Sequence, residues 1–398
     1  MASTQKQDFI EYETIKCLVC NCPLSDKIYE YDTSLLFGKS KYPIRSSLNL
    51  CAGCGLIFNS PRLTEKSLEW LYSTSYGADT ALYGSGPMNR LDAMRVDFIK
   101  KHIGTFRNII DVGCGGGSLL HSFKQQGKEV HGIEPSAYLR EYAKTNYDLD
   151  LLDGVLDQKF AKKNISKYDL VVFNEVLEHV YNPVEFLRLA AVISKGSIYF
   201  DVPNTLKPRY WNIADFFSCE HLTHFTKYSI KRLAQSLGFD VVAIEEDSDD
   251  PVIKVVLKKD IVGESSVIFA DKENELKEVH QSFEKYKSER GQSLRALKDK
   301  LSGITDAVIY GAGHHTIQMI ENGLLDGITI RDIVDSNSAK HGKEFVGRKI
   351  KSPKILADCS YPVVISTFGS QHDVANFIAR EFPKVHCVKL YHMDKKSV

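Results

Sequence analysis

The chain contains no apolar run approaching the ~18–20 residues that a bilayer-spanning helix requires, and its 51 Lys+Arg are matched by 51 Asp+Glu. The first lack argues against a helical membrane span. The second removes the broad field that draws a protein to nucleic acid or to an anionic membrane, so neither partner is expected. The opening segment, MASTQKQDFIEYETIK, is polar and lacks the apolar core of a secretory signal. A cytoplasmic location is predicted. A disulfide framework is lacking as well: the nine cysteines are odd in number, and five of them fall within the first 54 residues. That clustering points to a metal site plus lone thiols.

What is present is an ordinary globular composition, 43% hydrophobic and 26% charged, in 398 residues. That length suggests about two or three domains. The amino-terminal cysteines come as CLVCNCPL and CAGCGL, two C-x-x-C knuckles about thirty residues apart. Cys17, Cys20, Cys51 and Cys54 are the predicted tetrahedral ligands of a zinc ion, with Cys22 left over. A closed four-thiolate site offers the metal no open position, so the predicted role is structural. The competing interpretation is a group of small buried thiols with no metal.

From about residue 90 the pattern becomes α/β. MRVDFIKKHI has helical periodicity, and RNIIDVGCGGGSLLHSFKQQG follows as strand, glycine loop and helix. Asp111 ends the strand; Gly113 and Gly115 let the backbone turn tightly against a ligand. Glu134 closes the next strand, EVHGIEPS, where a carboxylate accepts the hydroxyls of a ribose. Dinucleotide enzymes share that layout. The segment YDLVVFNEVLEHVYNPVEFLRLA supplies a fourth strand tipped by Asn174, with Glu178 and His179 expected on the following helix and Pro183 starting the next one. Those two side chains either touch the ligand pocket or form a helix-capping or core hydrogen-bond pair. PVIKVVLKK (251–259) alternates like an edge strand and is expected to close the sheet antiparallel.

The motifs DVGCGGG, GIEPS and E-H-x-x-x-P resemble those of class I S-adenosylmethionine-dependent methyltransferases. The resemblance implies that Asp111, Gly113 and Gly115 lie against the amino-acid end of that cofactor. It also implies that Glu134 binds the cofactor's ribose and that Asn174 lines the pocket near the sulfonium. Asp153 and Gly154 are a weaker pointer to the adenine loop. FFSCEHLTHFT (216–226) then falls between the fifth strand and the last helix, over the carboxyl ends of the strands. A methyl acceptor must lose a proton, and an imidazole with an ordinary pKa of about 6.5 suits that work. His221 is the expected general base, with Glu220 as its partner; His224 is a further polar contact or a satisfied structural group.

The order of four-cysteine domain, methyltransferase core, E-H-L-x-x-F segment and second Rossmann-like unit resembles the nucleotide-sugar C-methyltransferases over nearly the whole chain. In that family the E-H pair carries catalysis, which maps onto Glu220 and His221. The family tyrosine two residues before the glutamate is replaced here by Ser218, so carbon and oxygen methylation both remain open. Tyr76 is a candidate source of the missing hydroxyl.

Residues 271–302 place Leu276, Val279, Phe283, Tyr286, Leu294, Leu297 and Leu301 on one helical stripe. AVIYGAGHHTIQMIENG then repeats strand, G-x-G loop and helix. Thr316 stands where a dinucleotide fingerprint has its third glycine, which argues against NAD. The family resemblance makes this a nucleotide-sugar domain, with Gly311, Gly313 and His314 approaching a phosphate. A ligand-free buttress is the alternative. The expected organisation is a zinc-binding domain over 1–75, a methyltransferase core over 76–262, a connecting helix over 263–303 and a Rossmann-like substrate domain over 304–398. Three functions compete: methyl transfer from S-adenosylmethionine to carbon or oxygen of a sugar, an NAD-dependent oxidoreduction, and a non-catalytic binding module.

Overall fold

The structure is a computed structural model and describes residues 10–37, 40–75, 90–207, 216–217, 219–246, 252–259, 272–367 and 370–391. The chain divides into two compact units. One comprises 1–32, 45–208 and 217–283; the other comprises 33–44, 209–216 and 284–398.

The first unit is built on a six-stranded sheet in the order Phe239–Glu246, Val252–Lys259, Ser194–Pro203, Tyr168–Asn174, Asn108–Val112, Glu129–Ile133. The last four strands run parallel. Val252–Lys259 is antiparallel to both of its neighbours. A single parallel bridge from Ile133 to Leu152 extends the far edge. Apolar side chains such as Ile110, Val171 and Phe200 pack one face; Ile109, Leu170, Val172 and Tyr199 pack the other. Burial on both faces is what makes these parallel strands read as continuous hydrophobic runs.

Val252–Lys259 corrects the expectation of an edge strand. It lies inside the sheet, and all of Val252, Ile253, Lys254, Val255, Val256 and Leu257 are buried. Lys254 is tolerated there because Glu245, its cross-strand partner, lies 3.7 Å away. Such a pairing is invisible in a hydropathy pattern.

The cysteine-bearing segment belongs to the same unit. Its strand Ile57–Asn59 pairs antiparallel with Ser40–Cys51 on one side and with Thr223–His224 on the other, joining Phe58 to Thr223 and Ile57 to His224. The helix Lys272–Lys300 buries Val279, Phe283, Tyr286 and Leu297, and Leu301 follows buried just beyond its end.

The second unit holds another six-stranded sheet, ordered Glu344–Phe345, Arg348–Lys351, Thr329–Val334, Asp306–Tyr310, Val363–Ile365, Cys387–Val388. It is parallel except for its first strand.

Candidate active site and metal centre

In the first unit, Asp111 lies at the carboxyl end of the strand Asn108–Val112, buried to 2% exposure, with its Oδ1 unpartnered. Burial pushes its pKa well up. The chain then turns through Gly113, Gly115 and Gly117, all at positive φ (72°, 54° and 79°), before the helix Ser118–Lys124 begins. At Gly113 an added Cβ would lie 2.8 Å from Cγ2 of Val176, so backbone alone fits there. Glu134 accepts the Gly115 N–H at 3.0 Å on one carboxylate oxygen and the Ser136 N–H at 2.8 Å on the other. Each oxygen keeps a lone pair for a diol. Burial raises the pKa of Glu134, although those backbone donors oppose the shift. The buried Oδ1 of Asn174 also lacks a partner, at the tip of Tyr168–Asn174. The glycine turn, the unpartnered Asp111 and Asn174 oxygens and the acid at the second strand's end fit the two ends of an adenosyl amino acid.

Beneath this turn lies an ion network that the sequence did not reveal. Arg95, on the helix Arg90–Ile103, donates from Nε to Asp201 at 2.6 Å. Its Nη1 reaches Asp92 at 3.1 Å and its Nη2 reaches Glu175 at 3.1 Å. Asp92 in turn accepts from the Ser118 hydroxyl at 2.6 Å, which ties the network to the helix after the glycine loop. Glu175 stands at φ 50°, a left-handed conformation unusual for a residue with a side chain. No local signal marks Arg95 for burial, because its partner Asp201 is 106 residues away.

Glu178 and His179 are not on a helix. They occupy a turn ahead of the helix Pro183–Ile193, whose amino terminus is capped by Asn182, its side-chain oxygen accepting from the N–H groups of Val184 and Glu185. The cap of that helix is Asn182 and not the Glu178 and His179 pair, which leaves ligand contact and core hydrogen bonding as the two readings of the pair. Their turn is pinned to the segment carrying His221: the Leu222 N–H donates to the Glu178 carbonyl at 2.8 Å, and His179 Nδ1 donates to the Glu220 carbonyl at 3.1 Å.

The rings of His179 and His221 meet edge to face, 4.6 Å between centroids. Burial drives the pKa of His179 down to about 4 and that of His221 well below the usual histidine range, so both are neutral at pH 7. His224 lies 6.1 Å from His221, fully buried among aromatics, and burial takes its pKa down to about 3. Glu220 is also pushed up by burial. The side-chain donor atoms of Glu178, His179 and His221 all lie within 4.8 Å of one another. Tyr76 and Ser218 lie outside the described residues.

The structure brings the four predicted zinc ligands together. The sulfurs of Cys17, Cys20, Cys51 and Cys54 lie within 4.8 Å of one another, with Cys17 to Cys54 and Cys20 to Cys51 each at 3.4 Å. Tetrahedral zinc with Zn–S bonds of about 2.3 Å sets its sulfurs about 3.8 Å apart, which this arrangement admits. Cys22 stays out of the group and contacts the Leu24 carbonyl. As thiols, Cys17 and Cys51 share charge unevenly: hydrogen bonding with Cys17 holds Cys51 far down, while Cys51 pushes Cys17 up to about 12. Four thiolates at this spacing require a cation. The donor set fits zinc.

In the second unit, the Ala312 N–H in the Gly311 to Gly313 loop donates to Asp335 at 2.9 Å, and Asp335 also accepts from the Asn337 N–H at 2.8 Å. This repeats the arrangement of Glu134. Thr316 is fully buried, and its hydroxyl bonds the Gly311 carbonyl at 2.5 Å and the Ser366 hydroxyl at 2.6 Å. A side chain thus fills the place that the dinucleotide fingerprint leaves to glycine. His314 opens the helix His314–Glu321; its side chain lies outside the described residues.

Residues 88–244 match the family model described as a methyltransferase domain. This stretch carries the four parallel strands of the first sheet and the glycine turn described above. Among curated relatives, the ubiquinone biosynthesis O-methyltransferase of Yersinia enterocolitica is 33% identical over 127 residues, 30% of this chain and 52% of that protein. The protein of the same name from Azoarcus sp. is 29% identical over 188 residues, covering 42% and 80%. The chain spans about half the length of the first curated relatives it matches. Solved structures similar to it include a SAM-dependent methyltransferase from Archaeoglobus fulgidus, with 17% identity, a TM-score of 0.35 and coverage of 42% of this chain and 93% of that one. Magnesium protoporphyrin IX methyltransferase from Synechocystis PCC 6803 with bound SAM has 17% identity, a TM-score of 0.37 and coverage of 50% and 98%. Among the described residues, no helix is long and apolar enough to cross a membrane.

Proposed function

We propose that the protein transfers a methyl group from S-adenosylmethionine to a small-molecule acceptor, and that the acceptor is a nucleotide-linked sugar. S-Adenosylmethionine would supply an electrophilic methyl group on its sulfonium. Asp111, the turn from Gly113 to Gly115, Glu134 and Asn174 would hold it. A zinc ion on Cys17, Cys20, Cys51 and Cys54 would be structural.

The observation that carries the proposal is the neutral, half-buried imidazole of His221, whose segment is hydrogen-bonded to the turn that follows Asn174 at the end of its strand. Donor chemistry needs no acid or base, whereas the acceptor must give up a proton. His221 would take the proton that the acceptor's X–H gives up as the acceptor receives the methyl group. A sugar carbon beside a keto group and a sugar hydroxyl would both be served. The second is favoured by the O-methyltransferase names of the relatives and by Ser218 in place of the family tyrosine. The Thr316 side chain in the carboxy-terminal loop argues against a dinucleotide there, and Asp335 supports a role for that loop in holding a nucleotide's diol.

The test incubates purified protein with isotopically labelled donor and a panel of nucleotide-linked keto- and hydroxy-sugars. Mass spectrometry should find one that gains a methyl mass, and fragmentation should place it on carbon or oxygen. If no member gains label while the protein binds the donor, the sugar assignment is wrong. Substituting His221→Ala should leave donor binding intact and remove turnover.

A further inference from the structure

His221 alone is a poor base, because an imidazolium formed in so buried a place has lost its water. Some group must receive that charge. The titratable groups facing it are His179 and Glu178 from the turn after Tyr168–Asn174, Glu220 from its own segment, and His224 from the strand Thr223–His224. The two histidines would add charge of the same sign. Glu220 has its carbonyl engaged by His179, and its position on the chain turns with the segment itself.

Glu178 is different. It is 2% exposed, and both of its carboxyl oxygens are buried without a hydrogen-bond partner. Buried carboxyl groups are seldom left so. One of its carboxyl oxygens lies within 4.8 Å of a ring nitrogen of His221 and of one of His179. Its backbone carbonyl accepts from Leu222 N–H at 2.8 Å and Thr223 N–H at 3.3 Å, which fixes the turn against the residues that follow His221.

We propose that Glu178, rather than Glu220, is the positioning carboxylate of the base: it orients His221 and carries the counter-charge when that ring accepts the acceptor's proton. The inference rests on His221 being the base. Charge balance supports it. The positive charge lost as a sulfonium becomes a thioether reappears on the imidazole, so the site keeps one cation throughout and one carboxylate serves both states. Bound donor would also favour the ionised form of Glu178, which burial in the free protein disfavours. A shared metal ion is the competing use of Glu178, His179 and His221.

The test compares Glu178→Gln and Glu178→Asp with the parent and with His221→Ala, all as the full chain. It measures the pH profile of kcat/KM for the acceptor with the protein saturated by donor, donor affinity by calorimetry, thermal unfolding and bound metal. Removing a carboxylate lowers the pKa of the adjacent imidazole, so the acid limb of the Gln variant should move about one unit down in pH. Its plateau kcat should fall about 100-fold with donor affinity within a few-fold of the parent, and Asp should restore part of the rate. An unmoved acid limb while His221→Ala is inactive overturns the role of Glu178 alone. Full activity in His221→Ala overturns the base and this inference together. A second metal equivalent, lost in Glu178→Gln and needed for turnover, also overturns it. If Gln does not fold, the same limb shift, smaller in size, is required of Asp.

Discussion

Asn59 holds the backbone of His221: its side-chain N–H donates to the His221 carbonyl at 2.9 Å, while its own backbone N–H donates to the Leu222 carbonyl at 3.0 Å. Asn59 ends the strand that follows the second cysteine knuckle, so the proposed zinc subdomain sets the position of the proposed base. Asn59 is 1% exposed and also exchanges hydrogen bonds with the Tyr31 hydroxyl. Substituting Asn59→Ala leaves buried acceptors unmatched and is expected to cost about 1–3 kcal/mol of stability. Because the crevice of Asp111 and Glu134 is untouched, turnover should fall more than donor affinity. Urea denaturation and calorimetry on the same protein check both halves. Equal losses of kcat and donor affinity would mean that Asn59 acts only on global folding.

The metal prediction turns on Gly53. A Cβ at that position would lie 2.8 Å from the sulfur of Cys20 and 2.9 Å from Cβ of Cys22. The Gly53 N–H also donates to the Cys51 sulfur at 3.3 Å, as ligand thiolates in such turns require. Wild-type protein should contain one zinc per chain. Gly53→Ala should bind it at least tenfold more weakly in competition with a chromogenic chelator, whereas Cys22→Ala should bind it as the wild type does. Zinc removal should lower the melting temperature and, through Asn59, slow turnover. Wild-type affinity in Gly53→Ala, or loss in Cys22→Ala, would refute this assignment of the ligands.

How far these features are legible in the sequence depends on the distance over which each is determined. DVGCGGG announces its turn locally, since Gly113 and Gly115 need positive φ and close approach. The two cysteine knuckles do the same through ligand spacing. Arg95 and Asp201 could not be paired in advance, because nothing local distinguishes a buried arginine from one at a helix edge. Glu178 and His179 are expected on the helix after the strand tip at Asn174; the turn found there is held by Leu222, His179 and Glu220, contacts that cross some forty residues. Lys254 misled in the same way, since only its cross-strand Glu245 makes it compatible with an interior strand.

His224 gives a prediction about acid. Its ring is fully buried, packed against Phe217 with 5.2 Å between centroids, and its Nε2 has no hydrogen-bond partner. Burial lowers its pKa to about 3, whereas an unfolded histidine titrates near 6.5. Between those values the unfolded chain binds the extra proton, so the stability due to neutral His224 is fully present above about pH 6.5 and is lost as pH falls towards 3. The contribution of one such group is about 1.4 kcal/mol per pH unit. His179, at about 4, adds a slope of the same sign, and the raised carboxyl groups Asp111 and Glu178 act oppositely, so the total is not diagnostic. The difference between two proteins is. His224→Gln should unfold with a flatter dependence on pH, by about 1.4 kcal/mol per unit between pH 6 and 4.5, whatever its constant offset from the parent. Urea titrations at four pH values in that window measure it. Parallel stability curves would show that His224 is protonated in the folded protein, and that the aromatic pocket around it admits water.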